Sequence, residues 1–180
     1  MAWPGRPMPP DSSTREFSRP LPLGLVGPEG RREVLEADEA ERAALVRRFG
    51  IPAVESLRAE LLLRPETDGA VRAEGRIDAS VVQLCVVTLE PVAQRLEEAV
   101  DLRLLPPGRE PQDEADEPDE IATEGGVADL GEAVAEQLAL CLDPYPRAPG
   151  AILPTEANDR GERPMAALAK LRGAGGGAKH

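Results

Sequence analysis

Between Leu57 and Arg64 apolar and charged residues alternate, with Leu57, Ala59, Leu61 and Leu63 set against Arg58, Glu60 and Arg64. A side-chain period of two is that of a strand with one face in the core. Pro65 and the pair Asp68-Gly69 signal a turn. Beyond it Val71, Ala73, Ile77, Ala79 and Val81 line one face, and Arg72, Glu74, Arg76, Asp78 and Ser80 the other. The pattern predicts antiparallel strands over 56–64 and 71–89. Near Val82 the alternation gives way to the apolar run Leu84-Cys85-Val86-Val87, which predicts burial on both sides.

Two segments carry helical signals instead. Asp38 is placed to cap and Glu41 follows three residues later, the spacing of a capping box. Leu45 and Phe49 share a face, Arg47 and Arg48 fall in the last turn as cations favoured by the helix dipole, and Gly50 and Pro52 end the element. A helix over 38–49 is predicted. Asp129 and Glu132 repeat the signal, and Leu130, Val134, Leu138 and Cys141 or Leu142 trace one stripe up to Pro144. Weaker signals mark a short edge strand within 16–23, an extended segment at 31–37, and a short helix from Pro164 through Leu168 and Leu171. Residues 91–105 fit two readings. Val92, Leu96 and Val100 have helical spacing, whereas Val100, Leu102 and Leu104 alternate as a strand.

Composition sets the scale of the fold. A chain of 180 residues, with 41% apolar and 30% charged residues, has room for one modest core. The 19 Pro and 17 Gly imply unstructured pieces; the Pro-rich, polar 1–14 is read as a flexible lead-in, 173–180 as a Gly-rich tail, and 15–172 as the domain. The expected class is α+β, a single domain with an antiparallel sheet and two or three packed helices.

Charge changes the functional picture. The formal net charge is −12, yet residues 1–64 hold ten basic and ten acidic side chains, leaving 21 − 10 = 11 basic against 33 − 10 = 23 acidic in the rest. Much of that excess lies in the segment 106–126, where Glu110, Asp113, Glu114, Asp116, Glu117, Asp119 and Glu120 stand beside four prolines. Without apolar periodicity this is expected to be a solvated loop. Such a surface repels phosphate backbones, so bare RNA is not expected as a partner of the C-terminal two thirds.

Several chemistries are disfavoured. The sole histidine, His180, is the last residue, so a triad would need its base on a flexible tail. Cys85 and Cys141 are too few and too far apart for a disulfide framework or a zinc site. Both are read as buried thiols, and the apolar neighbours of Cys85 are expected to raise its pKa. Gly173-Ala174-Gly175-Gly176-Gly177 follows a helical signal and lacks a phosphate-loop lysine. The loop carboxylates have oxygen ligands suited to Mg²⁺ or Ca²⁺ but lack EF-hand spacing. With Trp3, Phe17, Phe49 and Tyr145 as its aromatics, the chain has no stacking platform for single-stranded RNA. The N-terminus shows no secretory apolar region, and no apolar run could span a bilayer, so a cytoplasmic location without membrane contact is expected.

Three pieces of sequence carry a resemblance: Cys85-Val86-Val87-Thr88-Leu89-Glu90-Pro91, the acidic loop ending Asp119-Glu120-Ile121, and Asp129-Leu130-Gly131-Glu132 through Asp143-Pro144-Tyr145-Pro146-Arg147. With Phe17-Ser18-Arg19-Pro20-Leu21 before them and Pro164-Met165-Ala166-Ala167-Leu168 after, they resemble the YceD family, the large ribosomal RNA subunit accumulation proteins of bacteria and plastids. Many relatives have Cys-x-x-Cys where this chain has Thr88 in the second position. The resemblance implies that 91–104 is a strand paired with the one before it. It further implies a non-enzymatic ribosome biogenesis factor supporting large-subunit rRNA processing or accumulation, with no cofactor, metal, catalytic residue or small-molecule substrate. The expected partner is the large-subunit precursor, through its rRNA or a basic ribosomal protein. Candidate contacts are Glu114, Asp116, Glu117 and Asp119 toward a basic protein, and Arg15, Arg19, Arg31, Arg32, Arg47 and Arg48 toward rRNA. An adaptor or chaperone for a basic ribosomal protein without RNA contact is the alternative, and a metal-dependent hydrolase stands last.

Overall fold

The computed structural model describes residues 16–112 and 118–152. The chain divides into two compact units, Met1–Ala148 and Pro149–His180. Every element below belongs to the first. The Pro164 helix, the lead-in and the Gly-rich tail lie outside the described residues.

In chain order the elements are β1 (Pro20–Pro22), β2 (Arg31–Glu36), α1 (Glu39–Phe49), β3 (Ala53–Pro65), β4 (Val71–Leu84), β5 (Pro91–Leu104), β6 (Asp119–Ile121), β7 (Val127–Asp129) and α2 (Leu130–Cys141). Five strands form one sheet in the order β2-β3-β4-β5-β6, while β1 and β7 make a separate two-stranded antiparallel sheet. The pairs β2–β3, β3–β4 and β4–β5 are antiparallel, as expected, but β6 lies parallel to β5. That departure from an all-antiparallel sheet follows from the acidic segment. Parallel neighbours need a long return connection, and residues 105–118 supply it. The segment read as loop over 106–126 therefore contains a strand.

The alternation in β3 and β4 has the predicted consequence. Leu57, Leu61, Leu63, Ala73, Ile77, Ala79 and Val81 are buried, and Val100, Leu102 and Leu104 of β5 join them. Residues 91–104 are strand along their whole length, in register from Leu84↔Pro91 to Val71↔Leu104. The long edge of β4 offers a ladder of hydrogen bonds, and the helical spacing of Val92 and Leu96 yields to it.

The expected continuation of the second strand to residue 89 fails. β4 stops at Leu84, and Val86, Val87 and Thr88 form a turn. Only Cys85 of the apolar run is fully buried, whereas Leu84 and Val86 are each 47% exposed and Leu89 is 72% exposed. A continuous apolar run cannot distinguish a doubly covered strand from a strand that ends in an apolar turn.

Both helices start as their caps dictate. In α1 the Asp38 carboxylate accepts from the Glu41 N–H at 2.8 Å and Glu41 accepts from the Asp38 N–H at 2.9 Å. Gly50 closes the helix with φ 64°. In α2 Asp129 accepts from the N–H groups of Gly131 and Glu132 at 3.1 and 3.2 Å. It also accepts from the Arg19 N–H at 2.7 Å and the Ser18 hydroxyl at 2.6 Å. One cap therefore fixes the N-terminal segment as well. The segment passes so close that a Cβ on Gly131 would stand 2.6 Å from the Phe17 carbonyl oxygen. Leu130, Val134 and Leu138 are buried as the stripe predicts, together with Ala133 and Ala135, while Cys141 is partly exposed. α1 packs on β3, and α2 touches β1, β4 and β5.

Candidate partner-binding surfaces

The N-terminal arginines are not gathered into one patch. The Arg19 guanidinium donates to both oxygens of Glu41 at 2.6 and 2.9 Å and to the carbonyls of Ser18 and Glu36 at 2.8 and 3.0 Å. It lies 4.7 Å from the Phe17 ring centroid, a cation–π distance. The Glu41 hydrogen bond raises the Arg19 pKa and lowers that of Glu41. Arg48 forms the same kind of fork with Glu132 at 2.7 and 2.9 Å, so it links α1 to α2, and Glu16 stands 3.5 Å away. Glu132 thus serves Arg48 rather than the box position expected of it. Arg31 pairs with Glu33, and Arg32 donates at 2.5 Å to Glu60, which also holds Arg58. Arg47 is exposed and has no partner among the described residues. Arg15 lies outside the described residues.

At the far end of β5 the acidic segment is held by its roots. Arg103 contacts Glu66 at 2.7 Å, Asp68 at 2.5 Å and Glu120 at 2.5 Å. Arg109 also pairs with Asp68, and Glu120 accepts from the Gln112 N–H at 2.9 Å. The Arg109 hydrogen bond and the Ala70 N–H pull the Asp68 carboxyl down to about 2, while Glu66 and Glu120 push the Arg103 guanidinium pKa up. Backbone bonding from Leu105 N–H to the Ile121 carbonyl at 2.9 Å completes the base. Asp119, in β6, accepts from the Gln137 side chain of α2 at 3.0 Å. Glu114, Asp116 and Glu117 lie outside the described residues. The ring around Arg103 was not legible in sequence, because its members come from the β3–β4 turn, β5 and β6.

Beside β7 and α2 is a cleft of about 260 Å³ whose walls include Glu124, Asp129, Glu132 and Glu136. Among the described residues, however, no group of three or more His, Cys, Asp or Glu side chains is arranged to hold a metal ion. None of their helices is long and apolar enough to cross a membrane.

Cys85 corrects an expectation. Its side chain is fully buried, yet the thiol pKa lies below its ordinary value, at about 7. The Ala148 backbone contributes most, followed by the Thr88 side chain, with smaller help from the N–H groups of Thr88 and Val87, each 3.4 Å from Sγ. Backbone donors favour the thiolate and outweigh the desolvation that the apolar neighbours supply. Cys141 has no such donors, and burial raises its thiol.

No curated protein and no solved structure matches the chain. A family model does, over residues 73–172, and its description is large ribosomal RNA subunit accumulation protein YceD. The match takes in β4 through α2, and hence the Cys85 turn, the acidic segment with its Arg103 base, and the Asp129 cap. It covers 172 − 73 + 1 = 100 of the 180 residues, and the chain belongs to the YceD family.

Proposed function

We propose that the protein supports large-subunit rRNA accumulation without catalysing a step, by holding a basic protein of the precursor particle on its acidic segment. The observation that carries this reading is the Arg103 base. There Arg103 and Arg109 pair with Glu66, Asp68 and Glu120 where the segment leaves and rejoins the sheet, and Glu114, Asp116 and Glu117, which follow Arg109 in the sequence and precede Glu120, are the candidates for a cationic partner. The arginines support direct rRNA contact less well, since Arg19, Arg31, Arg32 and Arg48 already have carboxylate partners. A cytoplasmic site of action accords with this role.

The test is genetic. Cells lacking the gene are complemented with the wild-type chain or with one carrying Glu114→Gln, Asp116→Asn, Glu117→Gln and Asp119→Asn, and large-subunit rRNA and its precursors are quantified. The neutralised chain should accumulate to normal levels yet fail to restore the rRNA. Full restoration would remove the acidic segment from the function.

A further inference from the structure

The opposite end of β5 carries a second surface that the acidic-segment reading does not use. β5 has 14 residues, so its ends are about 45 Å apart at a strand's rise per residue. At the near end the turn after β4 is closed by hydrogen bonds from Cys85 N–H to the Glu90 carbonyl at 2.8 Å and from Leu89 N–H to the Cys85 carbonyl at 2.9 Å. Val86 N–H binds the Pro146 carbonyl at 2.8 Å, which ties the turn to the segment following α2. Between them, at the C-terminal end of α1, lies a groove of about 430 Å³ walled by Phe49, Ile51, Leu84, Leu142, Pro144 and Pro146.

Four features set this end apart. Leu89 and Tyr145 are each 72% exposed and Leu140 is 77% exposed, beside the half-exposed Leu84 and Val86, more apolar surface than a solvated turn requires. Leu89 is held at φ 60°, and among the described residues it alone, apart from glycines, has positive φ, a conformation that costs a side-chain-bearing residue about 1 kcal/mol or more. Gln83, on the groove wall, is 7% exposed, and although its amide nitrogen donates to the Asp143 carbonyl at 2.9 Å, its Oε1 is buried without a partner. Finally, Arg47 and Arg147 flank the groove in sequence on its α1 and Pro146 sides, and among the described residues they are the two arginines without a hydrogen-bond or ion-pair partner.

We infer that this end docks an extended, apolar segment of another protein that carries a carboxylate side chain. Walls that include Ile51, Leu84, Leu142 and two prolines exclude water from an apolar segment, and two free cations are too few to follow a phosphate backbone, so RNA is the poorer fit. Both unpaired cations call for an anion, and the buried Gln83 oxygen calls for an N–H, which a peptide backbone supplies. A second copy docking patch to patch would bring the arginines only Asp143, a carboxylate that already accepts from the Tyr145 N–H at 2.8 Å. The partner chemistry is thus the reverse of that expected at the acidic end.

The test selects a displayed library of random peptides on the full chain and uses a synthetic peptide of the selected consensus as the probe. The consensus should combine apolar residues with Asp or Glu. In NMR spectra of the labelled chain, the peptide should shift the backbone amides of 84–89 and the Gln83 side-chain amide. Leu89→Asn keeps a residue that tolerates positive φ and so preserves the turn. Together with Arg147→Glu it should weaken binding by about tenfold or more, while neutralising the acidic segment should leave binding unchanged. A basic consensus, no saturable binding, shifts confined to other surfaces, or self-association that Leu89→Asn abolishes would each overturn the assignment. Because the acidic-segment variant is a control here, failure of this inference leaves the rRNA-accumulation reading intact.

Discussion

Arg48 reaches Glu132, 84 positions away in sequence, whereas Arg47, one residue earlier, meets solvent. Nothing local separates the two, since both satisfy the dipole argument for a helix's last turn. Partners brought by tertiary structure decide which arginine is structural and which is free. Asp68 owes its acidity to the same kind of convergence. Its folded pKa of about 2 lies below the ordinary 3.8, so the stability it contributes is present above the ordinary value and is lost as pH falls toward 2. Denaturation midpoints of wild type and Asp68→Asn should therefore differ at neutral pH and converge between pH 4 and 2. A gap unchanged across that window would mean that the carboxylate does not act through its charge.

Cys85 makes the complementary case for an acid depressed by backbone donors. Its folded value of about 7 against an ordinary 9.0 means that the stabilising thiolate contribution is present above 9 and is lost as pH falls through 7. Ultraviolet titration of the thiolate, with Cys141→Ala as background, should give a midpoint near 7. Relative to Cys85→Ala, stability should rise from pH 7 to 9. A midpoint at or above 9 would show that desolvation dominates. The sequence displays the apolar neighbours but not the Ala148 backbone and the Thr88 side chain that the fold brings to the thiol, and so it points the shift the wrong way.

At the scale of elements, capping and alternation were legible because both are local. Asp38 and Asp129 mark the helix starts, and β3 and β4 show their buried face residue by residue. What local pattern could not show is where an apolar strand stops, as at Leu84, or that β6 would return parallel to β5. The ambiguity at 91–105 was resolved by β4, a partner that periodicity within the segment does not contain. The α2 stripe permits a quantitative expectation. Leu138 is 1% exposed at its centre, so Leu138→Ala should destabilise the fold by about 2 to 5 kcal/mol through lost burial and the cavity left behind. Chemical denaturation at equilibrium measures it, and a loss well under 1 kcal/mol would mean that the helix does not anchor on the sheet.

Across the whole molecule, the sheet keeps two dissimilar ends apart, one where Arg103 and Arg109 pair with Glu66, Asp68 and Glu120, the other where Leu89 and Tyr145 are exposed. Charge imbalance along the sequence draws attention to the first, while the second emerges only once the turn, α1 and the segment after α2 are brought together. The central claim is that the acidic segment works through charge on a basic protein. Its most direct test is a salt series of association rates for wild type and the chain neutralised at Glu114, Asp116, Glu117 and Asp119, against purified basic large-subunit proteins and a large-subunit rRNA fragment. With folding almost unchanged, the neutralised chain should associate more slowly with its basic partner, and the wild-type rate should fall toward the variant's as salt screens the charges. Tighter RNA binding by the variant with protein binding unchanged would contradict the account and show that the segment serves to repel RNA.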